Sequence, residues 1–176
     1  MIKKIIYTSL TSFIVLLLFV QNSFISKVKQ PKTPNTKNMI NLIQVRDSLF
    51  MLEGQGGNTG VLIGTEGILL VDDKFHHVHK AITNELSKIS TKKVKYIINT
   101  HWHFDHSQGN ENFAKMGSII LSQENSRKRM SEDQHIHAFN YHQKHHSFIA
   151  LPKITFKNNM DLYFNNELVH LESVKN

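Results

Sequence analysis

The feature that most constrains this chain is a dense run of imidazole and carboxylate side chains directly after a short apolar segment. Residues 94–98 are predicted to form a β-strand, and Asn99-Thr100 leads from it into the run His101 to His106. His101 and His103 are two residues apart, so both imidazoles lie on one face if the strand geometry continues through them. Two imidazoles on one face can bind the same divalent metal ion. The fold is therefore expected to present this loop at the end of a strand.

Asp105 and His106 follow where the chain should turn away from the strand. A carboxylate and a third imidazole at that point could hold a second metal ion, or bind and orient a water molecule. A hydrolytic zinc site needs nitrogen and oxygen ligands together with one open position for water. Zinc lowers the pKa of that water to about 7, and an adjacent carboxylate can accept its proton. Four potential ligands within six residues supply most of these parts.

The remainder of the body alternates predicted strands with predicted helices. Apolar stretches on both sides of Asp47-Ser48 predict a hairpin between Ile40 and Glu53, and the glycine-rich segment 54–58 predicts a turn. A change to helical spacing predicts a helix over residues 75–90. Further strands are predicted over 59–63, 68–71 and 118–121, and further helices over 109–116 and 123–130, the last capped by Ser122. This order indicates an α/β fold built from mixed layers.

The charge distribution argues against nucleic acid as a partner. The formal net charge is +7, but six of the 21 Lys and Arg residues lie in the first 40 residues, which contain no Asp or Glu. The rest of the chain therefore holds 15 basic and 14 acidic side chains and is nearly neutral. The chain has no cysteine, which excludes disulfides and thiolate ligands, whereas it has 12 histidines. Any bound metal must be held by nitrogen and oxygen atoms.

The N-terminus has the three-part layout of a secretory signal. Lys3 and Lys4 precede an almost wholly apolar run from Ile5 to Val20, and a polar stretch follows. Residues 1–26 are therefore predicted to be a signal peptide, with residues 27–38 as a linker and residues 39–176 as the domain. Export to the periplasm or the medium follows. An uncleaved membrane anchor is the alternative, so any membrane contact is expected only through this segment.

The segment from Asn99 to Asn110 resembles the signature loop of the metallo-β-lactamase superfamily. Gly60 to Ile63 and Gly67 to Asp73 are similar to the early strands of that family. The resemblance covers roughly residues 41–171 and is nearer to subclass-B3-like and quinoprotein-relay relatives than to glyoxalase-II-type enzymes. It implies an αββα sandwich, of which this chain would form mainly the N-terminal half.

The resemblance also implies roles for individual side chains. His101 and His103 would ligate a first zinc ion, and Asp105 and His106 would ligate a second. Asp105 would also orient the bridging hydroxide, which makes it the predicted catalytic residue. Asp72 would either support one of the imidazole ligands or bind amide groups of the loop, and both interpretations stay open.

The sequence departs from the family after Leu121. In the family, the second half of the sandwich supplies a third histidine for the first metal, an aspartate that bridges both metals and a late histidine for the second. No segment of the His-Thr-x-Gly-Asp kind follows Leu121, and His170 lacks the glycine and acid that should follow it. His170 is therefore interpreted as a strand residue. We expect residues 39–176 to form a partial, C-terminally truncated domain, with an open apolar face.

Two other groups of histidines stand outside the run. His76, His77 and His79 are predicted to be solvated at the start of a helix. The five histidines between Glu132 and Ser147 are interpreted as a polar, partly helical surface segment over the mouth of the site, with auxiliary metal capture as the alternative. Trp102 and Phe104 are expected to pack beneath the loop.

The predicted function is that of a zinc-dependent hydrolase, which uses metal-activated water on an ester, amide or lactam bond of a small-molecule substrate. Two alternatives stay open. The first alternative is a truncated, inactive fragment of such an enzyme, and the second is an exported histidine-rich metal-binding protein. The fold alone does not fix a substrate.

Overall fold

The computed structural model describes residues 40–174, so the predicted signal peptide and linker lie outside the described residues. Eleven strands, four α-helices and three short 3-10 helices make up this part of the chain. In chain order they are β1 (Ile40–Arg46), β2 (Leu49–Gly54), β3 (Thr59–Gly64), β4 (Gly67–Val71), a 3-10 helix (His76–Val78), α1 (His79–Ser87), β5 (Val94–Asn99), α2 (Phe104–Ser107), α3 (Asn110–Lys115), β6 (Ile119–Gln123), α4 (Glu124–Met130), β7 (Gln134–Ile136), a 3-10 helix (His137–Phe139), β8 (Tyr141–Gln143), a 3-10 helix (Phe148–Ala150), β9 (Ile154–Phe156), β10 (Asn159–Phe164) and β11 (Glu167–Glu172).

A seven-stranded mixed sheet organises the domain, with the strand order β1-β2-β3-β4-β5-β6-β9. The first four strands form an antiparallel meander, whereas β5, β6 and β9 each join parallel to the preceding strand of that order. Parallel neighbours require crossover connections, and α1 lies in the crossover from β4 to β5. The carboxyl ends of β4 and β5 therefore lie side by side at one edge of the sheet.

One face of this sheet carries the main hydrophobic core. Val78, Ile82 and Leu86 recur at helical spacing and pack on the sheet together with Phe113 of α3. All four side chains are buried, as are the strand residues that they contact. These strand residues are Ile40, Leu52, Val61, Ile68, Leu70, Ile97 and Ile120. Because helices cover this face, the strands facing them are apolar at alternate positions.

A two-stranded hairpin, β10 and β11, covers part of the opposite face. Phe164 of β10 is 2% exposed and packs with Leu62, Leu69, Ile98 and Leu121 of the sheet. Asn165 at the tip of the hairpin binds the β3–β4 turn, since its amide donates to the Gly67 carbonyl at 3.0 Å. The hairpin thus forms a small third layer. An open groove lies along the part of this face that the hairpin does not cover.

The predicted strands and helices are confirmed in order, with their ends shifted by one to a few residues. The predicted capping residue of the fourth helix was wrong. Ser122 belongs to β6, and the side chain of Gln123 accepts the Asn125 amide hydrogen at 2.5 Å instead. The predicted partly helical segment that contains five histidines forms a short hairpin, β7 and β8, around one 3-10 turn. Within residues 40–174, no helix is long and apolar enough to cross a membrane.

Candidate metal centre

The candidate centre lies where β4 and β5 end beside each other. Asp72 follows β4 directly and is only 4% exposed. One of its carboxylate oxygens accepts the backbone amide hydrogen of Thr100 at 2.8 Å. The other accepts the Thr100 hydroxyl at 2.7 Å and lies 2.7 Å from Nδ1 of His106. The predicted contact of Asp72 with a loop amide is therefore confirmed, and the same carboxylate also holds the imidazole of His106.

The contact with Asp72 fixes the protonation of the His106 ring. A carboxylate can only accept hydrogen bonds, so Nδ1 of His106 must carry the proton. In the neutral ring, Nε2 is then left as the nitrogen with a free lone pair. The same hydrogen bond is the main cause of a raised His106 pKa. Nε2 lies 3.3 Å from a carboxylate oxygen of Asp105.

The three imidazoles of the run lie next to one another. The ring centroid of His101 is 4.7 Å from that of His103 and 4.1 Å from that of His106. Burial lowers the pKa of both His101 and His103, and the neighbouring imidazoles lower that of His101 further. These two rings are thus favoured in the neutral form, which is the form that ligates a metal.

The backbone of the loop is held by buried polar contacts. The Ser107 hydroxyl is fully buried and lies 2.9 Å from the His103 carbonyl and 3.1 Å from the Trp102 carbonyl. The His106 carbonyl accepts from the backbone amide of Asp73 at 3.0 Å and from the side-chain amide of Asn99 at 3.2 Å. The loop formed by residues 101–107 therefore has a fixed path, as a preorganised site requires.

A glycine-rich turn between β2 and β3 covers the His106 ring. A Cβ atom on Gly57 would lie 2.5 Å from Cε1 and 2.9 Å from Nε2 of that ring, so a side chain does not fit there. The Gly57 carbonyl accepts a hydrogen bond from the ammonium group of Lys74. Lys74 is fully buried, and this burial lowers its pKa. The sequence predicted the turn at residues 54–58 but not its contact with the His106 ring.

Lys74 and Asp73 are site residues that sequence reasoning did not identify. Asp73 is fully buried, one of its oxygens accepts the Gly109 amide hydrogen at 2.9 Å, and the other has no protein partner. Its pKa is raised well above the usual range, mainly by burial and then by the charge of Asp72. Asp72 and Lys74 both have positive φ angles, which place the chain in the left-handed region directly after β4. The only sequence signal for Asp73 and Lys74 was that charged residues follow a buried strand.

The donor types fit zinc, although the side chains as placed do not converge on one point. Within residues 40–174, no group of three or more His, Asp or Glu side chains is arranged to hold a metal ion. Three adjacent imidazoles and one carboxylate nevertheless form a nitrogen and oxygen donor set of the kind that zinc prefers. The aspartate that holds Nδ1 of His106 is also typical of histidine ligands to metals. The residues therefore fit the metal by their chemistry.

His146 lies beside the loop, with its Nε2 3.4 Å from the Ser107 hydroxyl, whereas other sequence-predicted histidines lie apart from this cluster. His170 is exposed on β11, where its Nδ1 is 2.5 Å from the carboxylate of Asp161, and it is a strand residue as predicted. His76 and His77 are exposed as predicted, whereas His79 is half-buried with its ring against Phe113 at 4.7 Å.

The two aromatic residues of the run differ in their surroundings. Phe104 packs against the rings of Phe75 and Tyr141, with centroid distances of 5.8 and 4.6 Å. Trp102 faces the open groove beside the sheet and lies under the Arg129 guanidinium, 5.4 Å from its ring centroid. The expected packing beneath the loop is therefore correct for Phe104 and wrong for Trp102.

Comparisons with known proteins agree with this architecture. The chain has the metallo-β-lactamase fold, since its mixed sheet and flanking elements superpose on solved metallo-β-lactamases. Residues 53–121 match the model of the metallo-beta-lactamase superfamily. No curated protein sequence matches the chain.

Three solved structures illustrate the likeness. A B3 metallo-beta-lactamase with an active-site glutamic acid is 15% identical with a TM-score of 0.61, and the match covers 76% of this chain and 53% of that one. A subclass B3 enzyme of Bradyrhizobium japonicum is 16% identical, with a TM-score of 0.63 and coverage of 78% and 53%. The metallo-beta-lactamase from Elizabethkingia meningoseptica is 15% identical, with a TM-score of 0.62 and coverage of 79% and 53%. The chain thus spans about half the length of the structures that it matches.

Proposed function

We propose that this chain is a zinc-dependent hydrolase of the metallo-β-lactamase fold that cleaves an ester, amide or lactam bond in a small molecule. One observation carries the proposal. Asp72, from the end of β4, fixes the His106 ring through Nδ1 and leaves Nε2 beside the rings of the loop that follows β5. A buried carboxylate that orients an imidazole in this way is typical of metal sites.

The residues of one loop would hold the metal. His101 and His103 would bind a first zinc ion, and Asp105 and His106 would bind a second. When bound, zinc supplies Lewis acidity, which lowers the pKa of water and polarises a carbonyl group. Burial lowers the pKa of His101 and His103, which favours the neutral form in which an imidazole can act as a ligand.

We propose Asp105 as the catalytic carboxylate. It lies at the start of α2, and one oxygen is 3.3 Å from Nε2 of His106. Its side chain is 30% exposed, so it reaches the solvent side of the loop rather than the core. A partly exposed carboxylate beside the loop can act as the general base of hydrolysis.

An open groove beside the loop offers room for the substrate. The groove has a volume of about 1060 Å³, and its lining includes His101, Trp102 and Arg129. Small-molecule sites of proteins have volumes of roughly 300–1,000 Å³, so this groove is large enough for a small substrate. The Trp102 ring and the Arg129 guanidinium, 5.4 Å from its centroid, would contact the substrate next to the reacting bond.

The proposal is tested with the full chain, purified and loaded with zinc. We expect hydrolysis of a chromogenic lactam or a nitrophenyl ester, and Asp105→Asn should slow that hydrolysis by about 10²–10⁴-fold, as removal of a general base does. His145→Ala removes an exposed histidine that pairs with Asp133 and serves as the matched control. It should leave the rate unchanged.

The same preparations separate the alternatives. Zinc retention without any hydrolysis would refute the hydrolase proposal and favour an inactive fragment. Hydrolysis that persists in His101→Ala and Asp105→Asn at the rate of the unchanged chain would refute the assigned site.

Export is proposed on the sequence of residues 1–26 alone. The experiment is expression of the full chain in a Gram-negative host, followed by fractionation and N-terminal sequencing. A mature chain that begins near residue 27 in the periplasm supports a cleaved signal. Retention of Met1 in the membrane fraction would indicate the uncleaved anchor, and an uncleaved chain in the cytoplasm would refute export.

A further inference from the structure

The hairpin formed by β7 and β8 carries a second cluster of imidazoles, separate from the candidate metal centre. His135 and His142 are directly paired across the two antiparallel strands. Their rings stack with centroids 4.2 Å apart and an interplanar angle of 19°. The ring of His137, at the turn, is 4.3 Å from that of His135. Three imidazoles thus meet on a structure of about ten residues.

Strand alternation places this cluster on the outer face of the hairpin. Ile136 and Gln143 point inward and are 6% and 4% exposed. His137 and His142 are exposed and His135 is half-buried. Because successive residues of a strand point to opposite faces, the imidazoles are presented to solvent while the inner face is packed. Metal ions can therefore reach them directly.

The inner face ties the hairpin to the body of the domain, which makes it a fixed platform. The side-chain amide of Gln143 donates to the Trp102 carbonyl at 2.9 Å. The Tyr141 ring packs on Phe104 at 4.6 Å between centroids. Strands that are held in place in this way do not lose further backbone freedom when their side chains bind a ligand.

We propose that His135, His137 and His142 form an accessory site for a divalent transition-metal ion. Directly opposed residues of an antiparallel pair have Cβ atoms roughly 4.5–5.5 Å apart, so two imidazoles at such positions can reach one ion. The three rings do not coordinate a common point as placed, since the described part of the chain holds no converged group of three ligands. Binding of one ion therefore requires side-chain rotation that brings the nitrogens together, and the exposed His137 and His142 have room to rotate.

The ligand chemistry selects the type of metal. The site offers only imidazole nitrogen, and the chain has no cysteine. Imidazole suits copper, nickel and zinc, and among divalent ions of the first row the affinity is generally greatest for Cu²⁺. Oxygen-seeking ions such as Mg²⁺ and Ca²⁺ should not bind. The hairpin is therefore a site for Cu²⁺, Ni²⁺ or Zn²⁺, with Cu²⁺ held most tightly.

The test uses the full chain with His101→Ala and His103→Ala already introduced, so that the candidate metal centre does not contribute. Cu²⁺ alone is titrated by calorimetry, and electron paramagnetic resonance counts the coordinating nitrogens. Adding His135→Ala and His142→Ala should weaken binding by at least about tenfold, since even loss of a group that only supports a ligand costs about 10–100-fold. In this variant, the couplings of Cu²⁺ to the imidazole nitrogens of the hairpin should be lost from the electron paramagnetic resonance spectrum.

Two exposed histidines outside the hairpin cluster provide the matched control. His145 pairs with Asp133 and His170 pairs with Asp161. His145→Ala with His170→Ala, in the same parent chain, should leave Cu²⁺ affinity within about twofold. Urea denaturation of each variant checks the fold, and an unchanged midpoint is expected because the substituted side chains point to solvent.

The proposal is overturned if the His135 and His142 substitutions leave binding unchanged, or if the control pair weakens it equally. The second result would show general binding by surface histidines. His137→Ala alone should lower the number of coordinating nitrogens by one. Because the parent chain lacks two ligands of the candidate zinc centre, the outcome is independent of whether the chain is a hydrolase.

Discussion

Replacing Asp72 by asparagine tests the link between the two strand ends. The carboxylate makes three hydrogen bonds, two with Thr100 and one with His106, and its side chain is 5% exposed. Hydrogen bonds to a charged group contribute roughly 1.5–3 kcal/mol each, against roughly 0.5–1.5 kcal/mol for neutral partners. Loss of the charge therefore costs about 1 kcal/mol per bond, and the smaller desolvation cost of an amide returns part of it. We expect the free energy of unfolding to fall by about 1–2 kcal/mol.

The substitution should also reverse the tautomer of His106. The Thr100 amide hydrogen needs an acceptor, so the oxygen of the new amide stays there and its NH₂ group faces His106. Nδ1 must then accept a hydrogen bond, and the proton of the neutral ring moves to Nε2. Asparagine tolerates the positive φ of 66° at this position, so the backbone has no reason to move. With Nε2 protonated, zinc affinity should fall by about 10–100-fold.

The assays are urea denaturation, long-range proton–nitrogen NMR of the histidine rings and competition for zinc with a chelator. Asp133→Asn is the matched control, because Asp133 also has three hydrogen bonds, with Lys144 and His145, but its side chain is 50% exposed. Its substitution should shift the denaturation midpoint less, since solvent screens the charge. The reasoning is refuted if Asp72→Asn leaves the His106 tautomer and zinc affinity unchanged.

Three further substitutions probe the rest of the site and the layers around it. Gly57→Ala places a methyl group against the His106 ring, so zinc affinity measured by chelator competition should fall, and an unchanged affinity would contradict the close contact. Asp73 has a raised pKa, so the folded state binds more protons than the unfolded state, and its stability falls as pH rises from about 4 through the raised pKa. Asp73→Asn removes this pH dependence, so the urea midpoints of the unchanged chain and the variant should diverge above pH 4. Midpoints that change with pH in the same way in both proteins would contradict a buried Asp73 carboxyl. Phe164→Ala should lower the free energy of unfolding by about 3–5 kcal/mol because it leaves a cavity under the β10–β11 hairpin, whereas Tyr163→Ala, at a position 76% exposed, should change it little. Equal effects of these last two changes would show that the hairpin does not pack on the sheet.

The order of strands and helices could be predicted from the sequence because it depends on local patterns. The helical spacing of Val78, Ile82 and Leu86 and the turn at Asp47-Ser48 each act within a few residues. Which of two neighbouring polar residues caps a helix is harder to predict from sequence. Here Gln123 rather than Ser122 is the capping residue. The hairpin that carries His135 and His142 was missed for a related reason. A strand of three residues is too short to show alternation, and long-range contacts with the Phe104 ring and the Trp102 carbonyl hold the hairpin on the domain.

The sequence by itself determined which side chains of the candidate centre are available, and the tertiary structure decided how they are held. The spacing of His101, His103, Asp105 and His106 brings four donors into one loop. Asp72 is 34 residues from His106, and they meet only because β4 and β5 are parallel neighbours whose ends coincide. Strand adjacency is a property of the whole sheet, since it depends on which apolar faces the helices bury, and no short stretch of sequence encodes it.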